Sequence, residues 1–150
     1  MKILAVMGTR PEVIKMAPVV KRLSREKNLR LRLCVTAQHR GILDLTLSAF
    51  SLRPHIDLDL MRPGQSPSQV LCRVIAGMDK TLRAEKPGLL LIQGDTTTVL
   101  GAALAAFDLK IPIAHVEAGL RSHDLANPYP EEGNRVTVSK SSITKHVISL

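Results

Sequence analysis

Short apolar runs bounded by turn residues alternate with segments of helical periodicity along this chain, and few folds accommodate that order. The run Lys2 to Met7 precedes Val13, Ala17, Val20 and Leu23 at helical spacing. Thr9 and Glu12 stand before that helix as a Thr-x-x-Glu capping box, and Pro18 predicts a kink within it. From Leu29 to Thr36, Leu31, Leu33 and Val35 alternate with Arg30, Arg32 and Cys34, which predicts a strand with one polar face, near a sheet edge. A helix over Gly41 to Phe50 and a short strand over Ile56 to Leu60 follow. Ser66 and Gln69 form a second capping box with Pro67 at the first helical position, and Val70, Leu71, Val74, Ile75, Met78 and Leu82 trace one face. The unbroken apolar run Leu89 to Ile92 suits a central parallel strand. An Ala- and Leu-rich helix over Thr98 to Phe107 then leads to a strand over Ile111 to Val116. Pro130 opens a last helix at Glu131. Ser139, Ser141, Ser142 and Thr144 weaken helix between Val136 and Lys145, and Val147 begins another apolar run. The expected fold class is α/β, a parallel sheet covered by helices.

At 150 residues and 45% apolar, the chain supports one core, and with 2% aromatics that core must be built from Leu, Ile, Val and Ala. Cys34 and Cys72 have neither metal-type spacing nor a disulfide framework, which points to a reducing compartment, the cytoplasm. The N-terminus reads as a strand and not as a signal peptide, and no run approaches the ~20 apolar residues of a membrane span. A formal charge of +8 favours phosphorylated ligands or polyanions. Nucleic acid is disfavoured, because stacking aromatics and a recognised module are lacking. The phosphate-binding glycine motifs of dinucleotide and P-loop folds are missing, and so is a zinc-type cluster.

Ligands of open α/β sheets bind outside the carboxyl ends of the strands, where three loops of this chain carry candidate chemistry. Arg10 and Lys15 flank a helix N-terminus suited to a phosphate, the lesser alternative being that Thr9 and Glu12 form a plain cap with Arg10 solvated. Asp95 lies just past one strand, in Gln93-Gly94-Asp95-Thr96-Thr97-Thr98. Glu117 lies just past the next, and with Glu131 it is placed to meet Asp95 as clustered carboxylates for acid/base work. Either Glu131 or Glu132 also suits the N-terminus of the last helix, and Arg135 stands one turn on, where it would pair with Glu131. His39 follows the second strand at the same edge.

Gly8-Thr9-Arg10-Pro11-Glu12 with Lys15, Thr36-Ala37-Gln38-His39-Arg40, Gly94-Asp95-Thr96-Thr97-Thr98, His115 to Arg121 and Pro130 to Arg135 together resemble the non-hydrolysing UDP-N-acetylglucosamine 2-epimerases. The resemblance covers residues 1–135 and leaves 136–150 as a divergent tail. It implies a Rossmann-like domain over 1–150, the N-terminal half of a GT-B-type two-domain fold, with the C-terminal nucleotide-binding domain absent. It further implies an isomerase without cofactor or metal, interconverting UDP-N-acetylglucosamine and UDP-N-acetylmannosamine by elimination and re-addition of UDP. Asp95, Glu117 and Glu131 would be the acid/base groups. Arg10, Lys15 and Arg135 would bind substrate, and Gln38 and His39 would belong to an allosteric site for the same sugar nucleotide. Homodimers are usual in the family, which feeds bacterial cell-envelope polysaccharide biosynthesis; a cytoplasmic location without nucleic-acid or membrane partners is the expectation for this chain. As a half the chain is expected to be inactive alone, and two other readings stay open: a non-catalytic sugar-nucleotide-binding or decayed fragment, and a hydrolysing epimerase.

Overall fold

A computed structural model describes residues 1–36 and 40–141, together with the backbone of Val147 and Ile148. The elements follow as β1 (Lys2–Met7), α1 (Arg10–Leu23), β2 (Arg30–Val35), α2 (Arg40–Ala49), β3 (Ile56–Asp57), α3 (Pro67–Glu85), β4 (Leu89–Gln93), α4 (Thr97–Asp108), β5 (Ile113–Val116), α5 (Glu131–Ser141) and β6 (Val147–Ile148). The strands form one parallel sheet in the order β3-β2-β1-β4-β5-β6. Parallel neighbours need helical crossovers, and those crossovers cover both faces, as the apolar runs require.

The period of two along each strand divides the core. Leu4, Val6, Cys34, Leu90, Ile92 and Ile113 face α3, α4 and Val138 of α5. Ile3, Ala5, Met7, Leu33, Val35 and Leu91 face α1 and α2. Gly101 lets α4 approach α3, since a Cβ there would stand 2.6 Å from Cγ1 of Val74.

Three expectations change. Cys34, assigned to a polar strand face, is fully buried: its face of β2 packs into the cluster formed with α3 and α4, so only the first residues of the strand meet solvent. The strand expected over Ile56 to Leu60 stops at Asp57, because Asp59 turns the chain with φ +43°. Leu58 and Leu60 N–H still donate to Val35 and Thr36 carbonyls at 2.9 and 3.2 Å. Helix α5 runs on to Ser141 despite its hydroxyls. Those of Thr137, Ser139 and Ser141 donate to carbonyls four residues back at 2.8, 2.8 and 2.9 Å, leaving the helical backbone bonds intact. Helix α1 spans Arg10–Leu23 with Pro18 inside it.

Candidate active site

Strand β1 ends at Gly8, over which a side chain cannot be built: a Cβ would stand 2.5 Å from Thr98 Oγ1 and 2.6 Å from Thr36 Oγ1. Those two hydroxyls share a buried hydrogen bond of 3.0 Å. The turn then enters α1 through the Thr9–Glu12 capping box. Glu12 is buried, and its carboxylate accepts from the Gly8 N–H, the Thr9 N–H at 2.8 Å and the Thr96 hydroxyl at 2.6 Å. Burial pushes its carboxyl above the ordinary value, against the pull of those hydrogen bonds. One acid therefore ties the β1–α1 turn to the β4–α4 turn.

In the second turn, Gly94 adopts φ +83° and Thr96 caps α4, accepting from Val99 N–H at 3.3 Å. His115, buried within β5, donates from Nε2 to the Gly94 carbonyl at 2.6 Å. A carbonyl only accepts, so Nε2 carries the proton; burial holds the imidazole below its usual range, hence neutral at pH 7. Asn134 Nδ2 donates to the Asp95 carbonyl at 2.8 Å. Arg135, 5% exposed, pairs through Nη2 with the Asp95 carboxylate and through Nη1 with Glu132 at 2.8 Å.

Glu117 directly follows β5 in the left-handed region, φ +62°, a conformation that costs a non-glycine residue about 1 kcal/mol or more. Lys15 Nζ lies 2.8 and 2.7 Å from its two carboxylate oxygens, and Gln93 Nε2 also donates to it. Lys15, Gln93, Asp95, Glu117 and Arg135 line one cavity of about 170 Å³. Asp95 also borders a second cavity of about 340 Å³ with Gln65, Glu131 and Asn134. Asp95 thus shares one hollow with Glu117 and another with Glu131, at adjoining strand ends. Among the described residues, no three His, Cys, Asp or Glu side chains are grouped as a metal site would need.

Not every candidate joins this cluster. Arg10 is exposed in the first turn of α1 and lines neither cavity. Gln38 and His39 lie outside the described residues. The expected Arg135–Glu131 pair is not formed. Arg135 turns inward, where Glu132, three residues back, is buried beside it, while Glu131 faces the larger cavity. Sequence reasoning also passed over Gln93, a lone polar residue closing an apolar strand, and His115, a lone imidazole within one.

A family model described as UDP-N-acetylglucosamine 2-epimerase matches residues 21–149. The chain is 53% identical over 135 residues to a UDP-N-acetylglucosamine 2-epimerase of Yersinia pestis and 51% identical to one of Escherichia coli K12. Each alignment covers 90% of this chain and 36% of the relative, so the chain spans about a third of the length of those curated relatives. Among solved structures, the Neisseria meningitidis UDP-GlcNAc 2-epimerase bound to UDP-GlcNAc superposes with TM-score 0.90 at 46% identity, covering 95% of this chain and 39% of that one. Acinetobacter baumannii MurG, at 14% identity and TM-score 0.70 over 95% of this chain and 40% of its own, shares the fold alone.

Proposed function

Because this chain belongs to the UDP-N-acetylglucosamine 2-epimerase family, we propose that its strand ends form one wall of a site that inverts C2 of a UDP-N-acetylhexosamine. The observation that carries this reading is the 170 Å³ cavity, where Asp95 and Glu117 sit on neighbouring strand ends, each matched to its own cation, Arg135 or Lys15. The C2 proton lies beside no carbonyl, so its removal is coupled to departure of UDP. A carboxylate takes the proton, its bonding pair becomes the C1=C2 double bond of 2-acetamidoglucal, and the C1–O pair leaves with the diphosphate. UDP then adds back with protonation on the other face. Asp95, Glu117 and Glu131 are the groups that exchange donor and acceptor roles. Lys15 and the exposed Arg10 meet the diphosphate, and Arg135 meets substrate through the cavity wall while it holds Asp95.

On this reading the second wall comes from a C-terminal half, and the completed protein is a cytoplasmic homodimer supplying sugar nucleotides for bacterial surface polysaccharides. The test supplies that half from the Escherichia coli relative, 51% identical to this chain, and follows UDP-N-acetylglucosamine by proton NMR in deuterated water. Deuterium at C2 and appearance of the manno epimer are expected. A correctly folded, reconstituted pair that exchanges no C2 proton overturns the reading.

A further inference from the structure

The cations of the sheet's two edges differ in how they are partnered. At the ligand edge, Lys15 faces Glu117, Arg40 faces Asp57 and Asp59, and Arg135 faces Asp95 and Glu132, while Arg10 is exposed without an ion pair among the described residues. The opposite edge gathers the strand starts and helix ends. There Arg25, Lys27 and Arg30 lead into β2, Arg53 into β3, Lys86 into β4 and Lys110 into β5. All six are exposed, and none has an ion-pair partner among the described residues. Two nearby acids are already engaged: Glu26 by Arg22, Glu85 by Lys2 and Arg32. Asp108 is the exposed acid left at the end of α4.

These loops are neighbours. Arg30 N–H donates to the Met1 carbonyl, Gly88 N–H to the Lys2 carbonyl and Leu90 N–H to the Pro112 carbonyl, each at 2.9 Å. Five adjacent strands about 4.8 Å apart spread the cations over roughly 19 Å. Two apolar side chains stand exposed on the same edge, Met1 (62%) and Phe107 (48%).

We propose that this edge docks on an anionic phospholipid bilayer. A broad surface of unmatched cations with apolar side chains among them suits a charged, flat partner with an apolar interior. Helices α1 to α4 turn their C-termini toward this edge, so it lacks the backbone N–H groups that fix individual phosphates of a nucleic acid. The lack of an apolar span, which led to the expectation of no membrane partner, does not bear on surface attachment. This inference is independent of the catalytic reading.

Vesicle sedimentation of the intact chain tests it, with about 30 mol% phosphatidylglycerol in phosphatidylcholine against phosphatidylcholine alone, at low salt. About tenfold stronger partitioning onto the anionic vesicles is expected, lost toward 1 M salt, where the screening length shrinks to ~3 Å. Arg25→Glu, Lys27→Glu and Lys86→Glu together should abolish it. Arg73→Glu, Lys80→Glu and Lys140→Glu, exposed residues elsewhere that change net charge equally, should leave most of it. Circular dichroism melts establish that both variants fold. No partitioning at low salt, equal loss in both variants, or tighter binding to an oligonucleotide than to the vesicles overturns the proposal.

Discussion

Both carboxylate oxygens of Glu12 are occupied by the protein itself, through Gly8 and Thr9 N–H and the Thr96 hydroxyl. Glu12→Ala strands three donors and should cost about 3 kcal/mol in urea denaturation. Glu12→Gln still accepts the two N–H groups and turns its own amide toward Thr96, so it should lose under about 1 kcal/mol. The wild-type carboxyl titrates above its ordinary value of 4.5, so the folded state holds the proton more tightly than the unfolded one. That contribution is complete below the unfolded value and is lost as pH rises through the folded one. The stability of Glu12→Gln relative to wild type should therefore increase as pH rises above 4.5, which denaturation at several pH values checks. Glu132 has the opposite sign. Although burial pushes its carboxyl up, the N–H groups of Ser122 and His123 and the Arg135 guanidinium hold it low, so its contribution is lost on acidification. Arg135→Met removes the cation held against Asp95 and should destabilise by about 3 kcal/mol in the same assay. The positions of Lys15, Asp95, Glu117 and Glu131 were legible because strand ends and the first two turns of a helix fix them. The partner of Arg135 was not, since residues three and four back are both within reach on a helix and burial alone selects Glu132. The role of Glu12 was hidden too, because Thr96 arrives from 84 residues away.

Helices α3 and α4 meet where Gly101 leaves room for Val74. Gly101→Ala forces Cβ to within 2.9 Å of the Val74 Cβ as well as 2.6 Å of its Cγ1, and should cost about 2 kcal/mol by thermal denaturation. Adding Val74→Ala should recover part of that loss, giving a favourable coupling in the double-mutant cycle. At this scale the sequence was a good guide. Lys2 to Met7 and the capped helix α3 emerged as read, because apolar periodicity and cap chemistry act within a few residues. It misled at β3 and α5, where the outcome depends on backbone geometry that residue type does not specify. Asp59 leaves the extended region, and the serine and threonine hydroxyls of α5 bond back along their own helix. The burial of Cys34 required the placing of α3 and α4 over that face of the sheet to be known.

Across the molecule, charges that are matched apart from Arg10 at one sheet edge face unmatched cations at the other. Those cations repel one another, so raising salt should stabilise the isolated chain where screening of exposed ion pairs alone would weaken it. A gain of about 1 kcal/mol corresponds to a rise of about 2–4 °C in Tm, read by calorimetry between low and high salt. The parallel sheet also brings residues distant in sequence to one rim, so a composition that looks merely basic conceals two surfaces of different character. At that rim, Gly8 has a consequence for how such a chain varies. Selection for folding alone forbids a side chain between Thr36 and Thr98 and disfavours one at Gly94, whereas Gly41 and Gly133 have open space around them. A randomised library screened only for soluble expression should therefore return glycine at 8 and 94 and a mixture at 41 and 133. Invariance in the floor of this site would then persist in descendants that had lost the chemistry altogether.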